Sequence, residues 1–138
     1  GWDSEQLTKI GGVAIEGCYY SNHYAADQEG GLVGAFVVKY KAKFGSTPDG
    51  LAALGYDAAN ILFDSMKRAK SLSGKDLAAA IAGTKDFAAV TGMITIDKNR
   101  DAKKAAVMVE MKGGKPVWKA TIEPPAEEGK SSPQTGKP

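Results

Sequence analysis

The sequence predicts an α/β fold in which helices pack on partial β-sheets and a β-hairpin closes the chain. Apolar residues recur at helical spacing over about residues 32–83. From about residue 92 the apolar period changes to two, which is typical of strands. A strand-like stretch precedes the helices, so the predicted order is strand, three helices, strand and hairpin. The 138 residues amount to one domain or less.

The chain is predicted to start with a short helix over about Glu5–Ile10. Asp3 or Ser4 can cap its N-terminus, because short polar side chains accept from free backbone N–H groups there. A glycine pair follows and can end the helix. Residues 13–21 are predicted to form a strand, and the polar, glycine-rich residues 21–31 a loop.

Three helices are predicted in the middle of the chain. The first covers residues 32–44 and ends at a glycine. The second covers residues 51–71 and carries one apolar stripe. That stripe consists of Leu51, Leu54, Ala58, Ile61, Leu62, Met66 and Ala69. The third helix covers residues 74–82, and Ser73 or Asp76 can cap it.

The last part of the chain is predicted to be a strand followed by a hairpin. Residues 92–97 alternate in polarity, and residues 98–104 are a polar turn. Residues 105–122 read as two strands joined at two consecutive glycines, which supply the positive φ angles of a tight turn. The proline-rich residues 124–138 contain almost no apolar side chains and are expected to bury nothing.

Composition and charge exclude several classes of function. The chain has 18 basic and 16 acidic residues and a net charge of +2, without the basic cluster that nucleic-acid binding requires. Cys18 is the only cysteine, so no internal disulfide can form. One cysteine and one histidine also exclude a zinc site of the Cys/His kind. No apolar run has the roughly 20 residues of a membrane span.

No group of residues has the pattern of a catalytic site. The segment "GSTPDG" lacks the Lys-Ser/Thr of a phosphate-binding loop. His23 has no evident nucleophile partner, and the acidic pairs lie in flexible segments that cannot hold a fixed geometry. We therefore expect no enzyme activity, no metal and no cofactor.

Aromatic residues lie beside acidic ones in the pairs Trp2-Asp3 and Tyr56-Asp57, and Tyr20 is the second of two adjacent tyrosines. One interpretation is that these are core aromatics next to helix caps and surface acids. The other is a small-molecule site. A zwitterionic ligand needs a carboxylate for its ammonium group, donors for its carboxylate and an apolar wall.

Four segments in order resemble one protein family: "GWDSEQL" with "GGVAIEGCYYSNHY", "KYKAKFGSTPDGLAALGYDAANIL", "FAAVTGMITIDKNRD" and "MKGGKPVW". Together they are similar to the C-terminal part of a type I periplasmic binding protein. The most similar group is the branched-chain amino-acid (Leu/Ile/Val) receptors of ABC transporters. The resemblance covers about residues 1–123.

The resemblance implies a fragment of a fold with two α/β lobes joined by three crossover segments. Residues 1–16 and 98–123 would belong to the second lobe, and residues 17–97 to crossovers and the first lobe. The segment "EGCYYS" would cross into the first lobe and "TGMITID" would cross back. We therefore expect these two segments to be neighbouring and extended. The tail, residues 124–138, lies outside the resemblance.

The resemblance also implies a ligand site. Six residues in the matching segments are candidate ligand contacts: Trp2, Asp3, Ser4, Tyr20, Tyr56 and Asp57. Asp3 is the expected partner of a ligand ammonium group, with Trp2 or Tyr56 as the apolar wall. Tyr20 is the weaker candidate because it lies in a crossover. The family's first lobe normally grips the ligand carboxylate with residues upstream of this segment.

The function implied is that of the substrate-binding component of an ABC transporter, which binds a branched-chain or other small amino acid in the cleft between the lobes for uptake. Its partners would be the amino acid and the membrane permease, and its location the periplasm or the cell exterior as an anchored lipoprotein. The alternative is an interaction, structural or sensory module on the same scaffold. We also expect the chain to begin where a longer protein was cut. The missing N-terminal portion, or self-association, would then cover its exposed surfaces.

Overall fold

The structure, a computed structural model, describes residues 2–125. Most of the predicted tail therefore lies outside the described residues. The helices are α1 (Glu5–Gly11), α2 (Gly31–Phe44), α3 (Gly50–Arg68) and α4 (Gly74–Ala82). The strands are β1 (Tyr19–Asn22), β2 (Phe87–Ala89), β3 (Gly92–Ile96), β4 (Ala102–Lys103), β5 (Ala106–Lys112) and β6 (Lys115–Ile122).

The N-terminal helix is confirmed, but the strand predicted after it is shorter than expected. The Ser4 hydroxyl caps α1 by accepting the Gln6 N–H at 3.2 Å. Gly12–Ile15 form a 3-10 helix, so only the end of the predicted strand is extended. The reason is that Ile15 folds back on α1, where a methyl group added to Gly11 would lie 2.5 Å from its Cγ2 atom.

The three central helices are confirmed, but the buried face of α3 differs from the predicted stripe. Its buried residues are Gly50, Ala53, Asp57, Ile61 and Ser65, of which only Ile61 belongs to that stripe. Leu51 is 76% exposed and Leu62 is 40% exposed. Small side chains face the described core because they allow close approach, and the larger apolar side chains lie on a neighbouring face.

The strands form two three-stranded sheets, both antiparallel. The first has the order β1-β5-β6 and the second the order β2-β3-β4. The predicted hairpin is confirmed, with Gly113 and Gly114 at φ angles of 59° and 71°. Its buried residues alternate as predicted: Val107, Val109 and Met111. The three-residue strand β2 was missed by the sequence analysis.

The segments "EGCYYS" and "TGMITID", which we expect to be neighbouring and extended, lie in different sheets. β1 pairs with β5, whereas β3 pairs with β2 and β4 in the other sheet. Both segments contain strand, as predicted, and their ends approach each other at Lys104. Its ammonium group donates to the His23 carbonyl at 3.4 Å and to the Thr91 carbonyl at 3.3 Å. Lys104 thus connects the two segments by side-chain hydrogen bonds, although their strands do not pair with each other.

One aromatic core cluster holds α2 against the start of α3. Tyr24, Phe36, Val37, Ala53 and Val90 are buried together there. The Tyr24 hydroxyl also donates to the carbonyl of Pro48, two residues before α3 begins. This contact fixes the position of the α3 N-terminus. Among residues 2–125, no helix combines the length and the apolar character needed to cross a bilayer.

Candidate functional site

The N-terminus of α3 meets the N-terminal segment of the chain at Asp3. One oxygen of the Asp3 carboxylate, Oδ2, accepts the N–H of Gly50, the first residue of α3. Asp49 caps the same helix and accepts the Ala52 N–H at 2.7 Å. A carboxylate is stabilised at this end of a helix because the free N–H groups there carry partial positive charge.

Gly50 has no side chain at the point where Asp3 approaches. A Cβ atom at Gly50 would lie 2.9 Å from Asp3 Oδ2 and 2.6 Å from Asn22 Oδ1. Both distances are shorter than real Cβ contacts allow, so only glycine lets these two side chains approach α3 together. Gly50, Asp3 and Asn22 therefore form one polar group at the start of the helix.

An aromatic pair lies beside this polar group. The rings of Trp2 and Tyr20 have centroids 6.1 Å apart and are tilted by 44°. Trp2 is 44% exposed, so part of its ring is available for further contacts. Burial, with the nearby charges of Asp3 and Asp27, raises the pKa of Tyr20 to about 12. Tyr20 therefore keeps its hydroxyl proton at neutral pH and can donate a hydrogen bond.

Ser4 and Tyr56 are placed less favourably for a shared site. The Ser4 hydroxyl accepts an N–H group of α1 as its cap. Tyr56 lies six residues into α3, about 9 Å along the helix from Gly50. Its ring packs 4.9 Å from the ring of Phe36. The structure thus groups Trp2, Asp3 and Tyr20, while Tyr56 lies apart from them.

Asp57 is part of the packing and not of an open cleft. Its side chain is only 2% exposed. Its two oxygens accept the N–H groups of Val90 and Thr91, both at 2.8 Å. These bonds hold the turn between β2 and β3 against α3. Since both oxygens are engaged and covered, we leave Asp57 out of the candidate site.

Sequence reasoning missed Asn22 and Gly50. A signal for Asn22 was available: alternate residues of a strand share a face, which places Asn22 on the same side of β1 as Tyr20. The structure agrees, since both are partly buried while Tyr19 and Ser21 are exposed. Gly50 had no comparable signal, because its importance comes from two side chains distant in sequence.

Basic groups lie at the carboxyl end of β1, next to Asn22. A cavity of about 290 Å³ is lined there by Asn22, His23 and Lys104, among others. Burial lowers the pKa of Lys104, partly opposed by the charge of Asp57. Burial and the charge of Lys104 lower the pKa of His23, against a smaller opposite effect of Asp3. Among residues 2–125, no cluster of His, Cys, Asp or Glu could hold a metal ion.

A family model described as "Periplasmic binding protein" matches residues 1–115. The chain belongs to this family. Its members are ligand-binding proteins without enzymatic activity. A search of curated proteins gave no match. Among solved structures, 26 chains match.

One similar structure is a leucine binding protein, LivK, from Thermotoga maritima, with 38% identity and a TM-score of 0.78. The match covers 88% of this chain and 35% of that one. A second is LivJ from Streptococcus pneumoniae, a branched-chain amino acid transporter substrate binding protein in complex with isoleucine. It has 27% identity and a TM-score of 0.73 over 88% of this chain and 34% of LivJ.

A third similar structure binds a different kind of molecule. It is a solute binding protein of an ABC transporter from R. palustris in complex with benzoate. Its identity is 27% and its TM-score 0.68, over 86% of this chain and 33% of that one. The chain thus spans about a third of the length of these relatives, and it has a partial type I periplasmic binding protein fold.

Proposed function

We propose that this chain forms part of the substrate-binding component of an ABC transporter, and that Asp3 binds the ammonium group of an amino acid. The placement of Asp3 carries the proposal. Oδ2 accepts the Gly50 N–H, while Oδ1 has no hydrogen bond with residues 2–125. A carboxylate fixed in this way is already oriented, so binding an ammonium group requires little further ordering.

The chemistry of this carboxylate favours an amino acid over an aromatic acid. The relatives described above include proteins for leucine and isoleucine and one in complex with benzoate. Benzoate has a carboxylate and no cationic group, so the negative charge of Asp3 would repel it. An amino acid offers an ammonium group to Asp3 and a side chain to the Trp2 and Tyr20 rings.

The proposed site requires a second wall. We assign residues 1–16 and 98–123 to the second lobe of the receptor, and residues 17–97 to crossovers and the first lobe. The exposed apolar side chains of α3, such as Leu51 and Leu62, support a contact with the N-terminal portion of the receptor, which would complete the cleft. The membrane permease is the proposed partner for transport. The proposed location is the periplasm, or the cell exterior on a lipid anchor.

Calorimetry on the full-length receptor tests this function. We expect leucine or isoleucine to bind and benzoate not to bind under the same conditions. The isolated segment should bind neither measurably, because one wall cannot bury the 70–90% of ligand surface that pockets usually cover. Binding of benzoate without any amino acid would overturn the proposal.

A further inference from the structure

Asn22 and Asp3 approach the same point at the start of α3. Asn22 Oδ1 and Asp3 Oδ2 would both contact a Cβ atom at Gly50, at 2.6 and 2.9 Å. Asn22 lies at the end of β1 and Asp3 just before α1, so two separate elements bring them together. The site therefore contains an amide directly beside the carboxylate assigned to the ligand ammonium group.

The orientation of the Asn22 amide is fixed by a local hydrogen bond. The His23 N–H donates to Asn22 Oδ1 at 2.8 Å, which identifies Oδ1 as the acceptor. The other amide atom, Nδ2, has no hydrogen-bond partner among residues 2–125. It is also not enclosed, since the only buried unpartnered side-chain atom in that range is Thr91 Oγ1. Two N–H donors of Asn22 thus remain available to a ligand.

Groups of both charges lie near Asn22. Asp3 approaches the same point at Gly50 as Asn22 does, and Asn22 also lines the cavity of about 290 Å³. The wall of this cavity includes Lys104, a cation whose carbonyl contacts are long, at 3.3–3.4 Å. A zwitterion is stabilised when its ammonium group points to the negative side and its carboxylate to the positive side.

We infer that Asn22 is a second ligand-binding residue, whose Nδ2 donates to the carboxylate of the amino acid that Asp3 holds by its ammonium group. This inference rests on the proposed function. An α-amino acid carries both groups on one carbon atom, so its receptor needs an acceptor and a donor side by side. Asp3 and Asn22 supply that pair, and the ligand carboxylate then has a partner within this segment as well as in the first lobe.

Two substitutions at Asn22 separate this role from a structural one. Asn22→Asp keeps the acceptor for the His23 N–H but replaces the donors with a negative charge. Asn22→Leu has similar volume and loses both functions. Leucine binding to the full-length receptor should weaken about thirtyfold in N22D and about fivefold in N22L. A structural role alone predicts the reverse order, because only N22L leaves the His23 N–H without its partner.

Leucinamide provides a second measurement on the same variants. It keeps the ammonium group but lacks the carboxylate, so N22D should bind it no more weakly than the unsubstituted receptor does. Asn60→Asp, the same change on α3 away from the site, should alter neither affinity. If N22L bound leucine more weakly than N22D, or if both bound it as tightly as the unsubstituted receptor, the binding role of Asn22 would be overturned, but the proposed function would not. Failure of the unsubstituted receptor to bind any amino acid would overturn the proposed function itself.

Discussion

Asp3 and Asp57 are two carboxylates that accept backbone N–H groups around the same helix, yet their surroundings differ. Asp57 is 2% exposed, and each of its oxygens accepts one N–H at 2.8 Å. Asp3 is only partly buried and uses one oxygen, at the N-terminus of α3. A carboxylate with both oxygens engaged and covered stabilises the fold. One with a single oxygen engaged is held in place and can still bind a ligand.

Removal of the Asp57 carboxylate should have the largest effect on stability. Asp57→Ala leaves the N–H groups of Val90 and Thr91 buried without an acceptor, which costs about 3 kcal/mol in the free energy of unfolding. Asp64→Ala is the matched control on the same helix. Asp64 forms a surface pair with Arg68, so its loss should cost only about 0.5 kcal/mol. Urea denaturation measures both, and equal costs would contradict the structural role of Asp57.

Removal of the Asp3 carboxylate should instead affect binding. Asp3→Ala should weaken leucine binding to the full-length receptor by about 1.5–3 kcal/mol, because a charge-assisted hydrogen bond is lost. Asp49→Ala removes a carboxylate from the same helix end but not from the site. It should cost about 1 kcal/mol of stability and leave affinity unchanged. If calorimetry gave the same affinity for Asp3→Ala as for the unsubstituted receptor, Asp3 would not be the ammonium partner.

A change at Gly50 should displace Asp3 without altering its charge. In Gly50→Ala the new methyl group would lie within 3 Å of Asp3 Oδ2 and Asn22 Oδ1, so both side chains must move. We expect leucine affinity to fall about tenfold. Gly55→Ala adds the same group in the same helix where no atom lies within 4 Å. That control should keep its affinity and gain up to about 1 kcal/mol of helix stability; equal affinities for the two variants would count against the geometry at Gly50.

The smallest effect concerns the ionisation of Tyr20. Its pKa is raised from 10.0 to about 12 by burial, then by Asp3 and Asp27. Because the raised pKa favours the protonated folded state, this contribution to stability is complete below pH 10 and lost as the pH rises to about 12. Asp3→Asn should lower the Tyr20 pKa, since it removes one of these negative charges. Absorbance titration of tyrosinate measures this pKa, and Tyr20→Phe identifies which titration step belongs to Tyr20. An unchanged Tyr20 pKa in Asp3→Asn would mean that Asp3 does not lie close to Tyr20.

Local signals in the sequence predicted the helix ends and the hairpin. Ser4 and Ser73 cap helices as expected, and Gly45 ends α2 at a φ angle of 72°. Gly113 and Gly114 form the predicted turn. These features depend on residues within a few positions of each other, which is why the chain alone reveals them.

Features that depend on distant contacts were not predictable in this way. Asp3 and Asp57 each follow an aromatic residue. No neighbouring residue in the sequence indicates that Asp57 is buried while Asp3 is only partly buried. Apolar spacing predicts that a stripe of mostly large side chains on α3 faces the core, whereas the core contacts smaller side chains of this helix. The strand β2 has three residues and is defined by pairing with β3. Six candidate contacts were named, and the structure brings Trp2, Asp3 and Tyr20 together.

A pair of hydrogen bonds between Glu16 and the β5–β6 turn has a consequence for the order of folding. Glu16 accepts the N–H groups of Gly113 at 2.7 Å and Gly114 at 3.2 Å, across 97 and 98 positions of sequence. Helices such as α2 and α3 form from local contacts, whereas contacts this distant close slowly. On the ribosome, β1 has no β5 to pair with until the end of this segment emerges. The strand β1, which bears Tyr20 and Asn22, is therefore fixed in place late in biosynthesis, after α3 has formed.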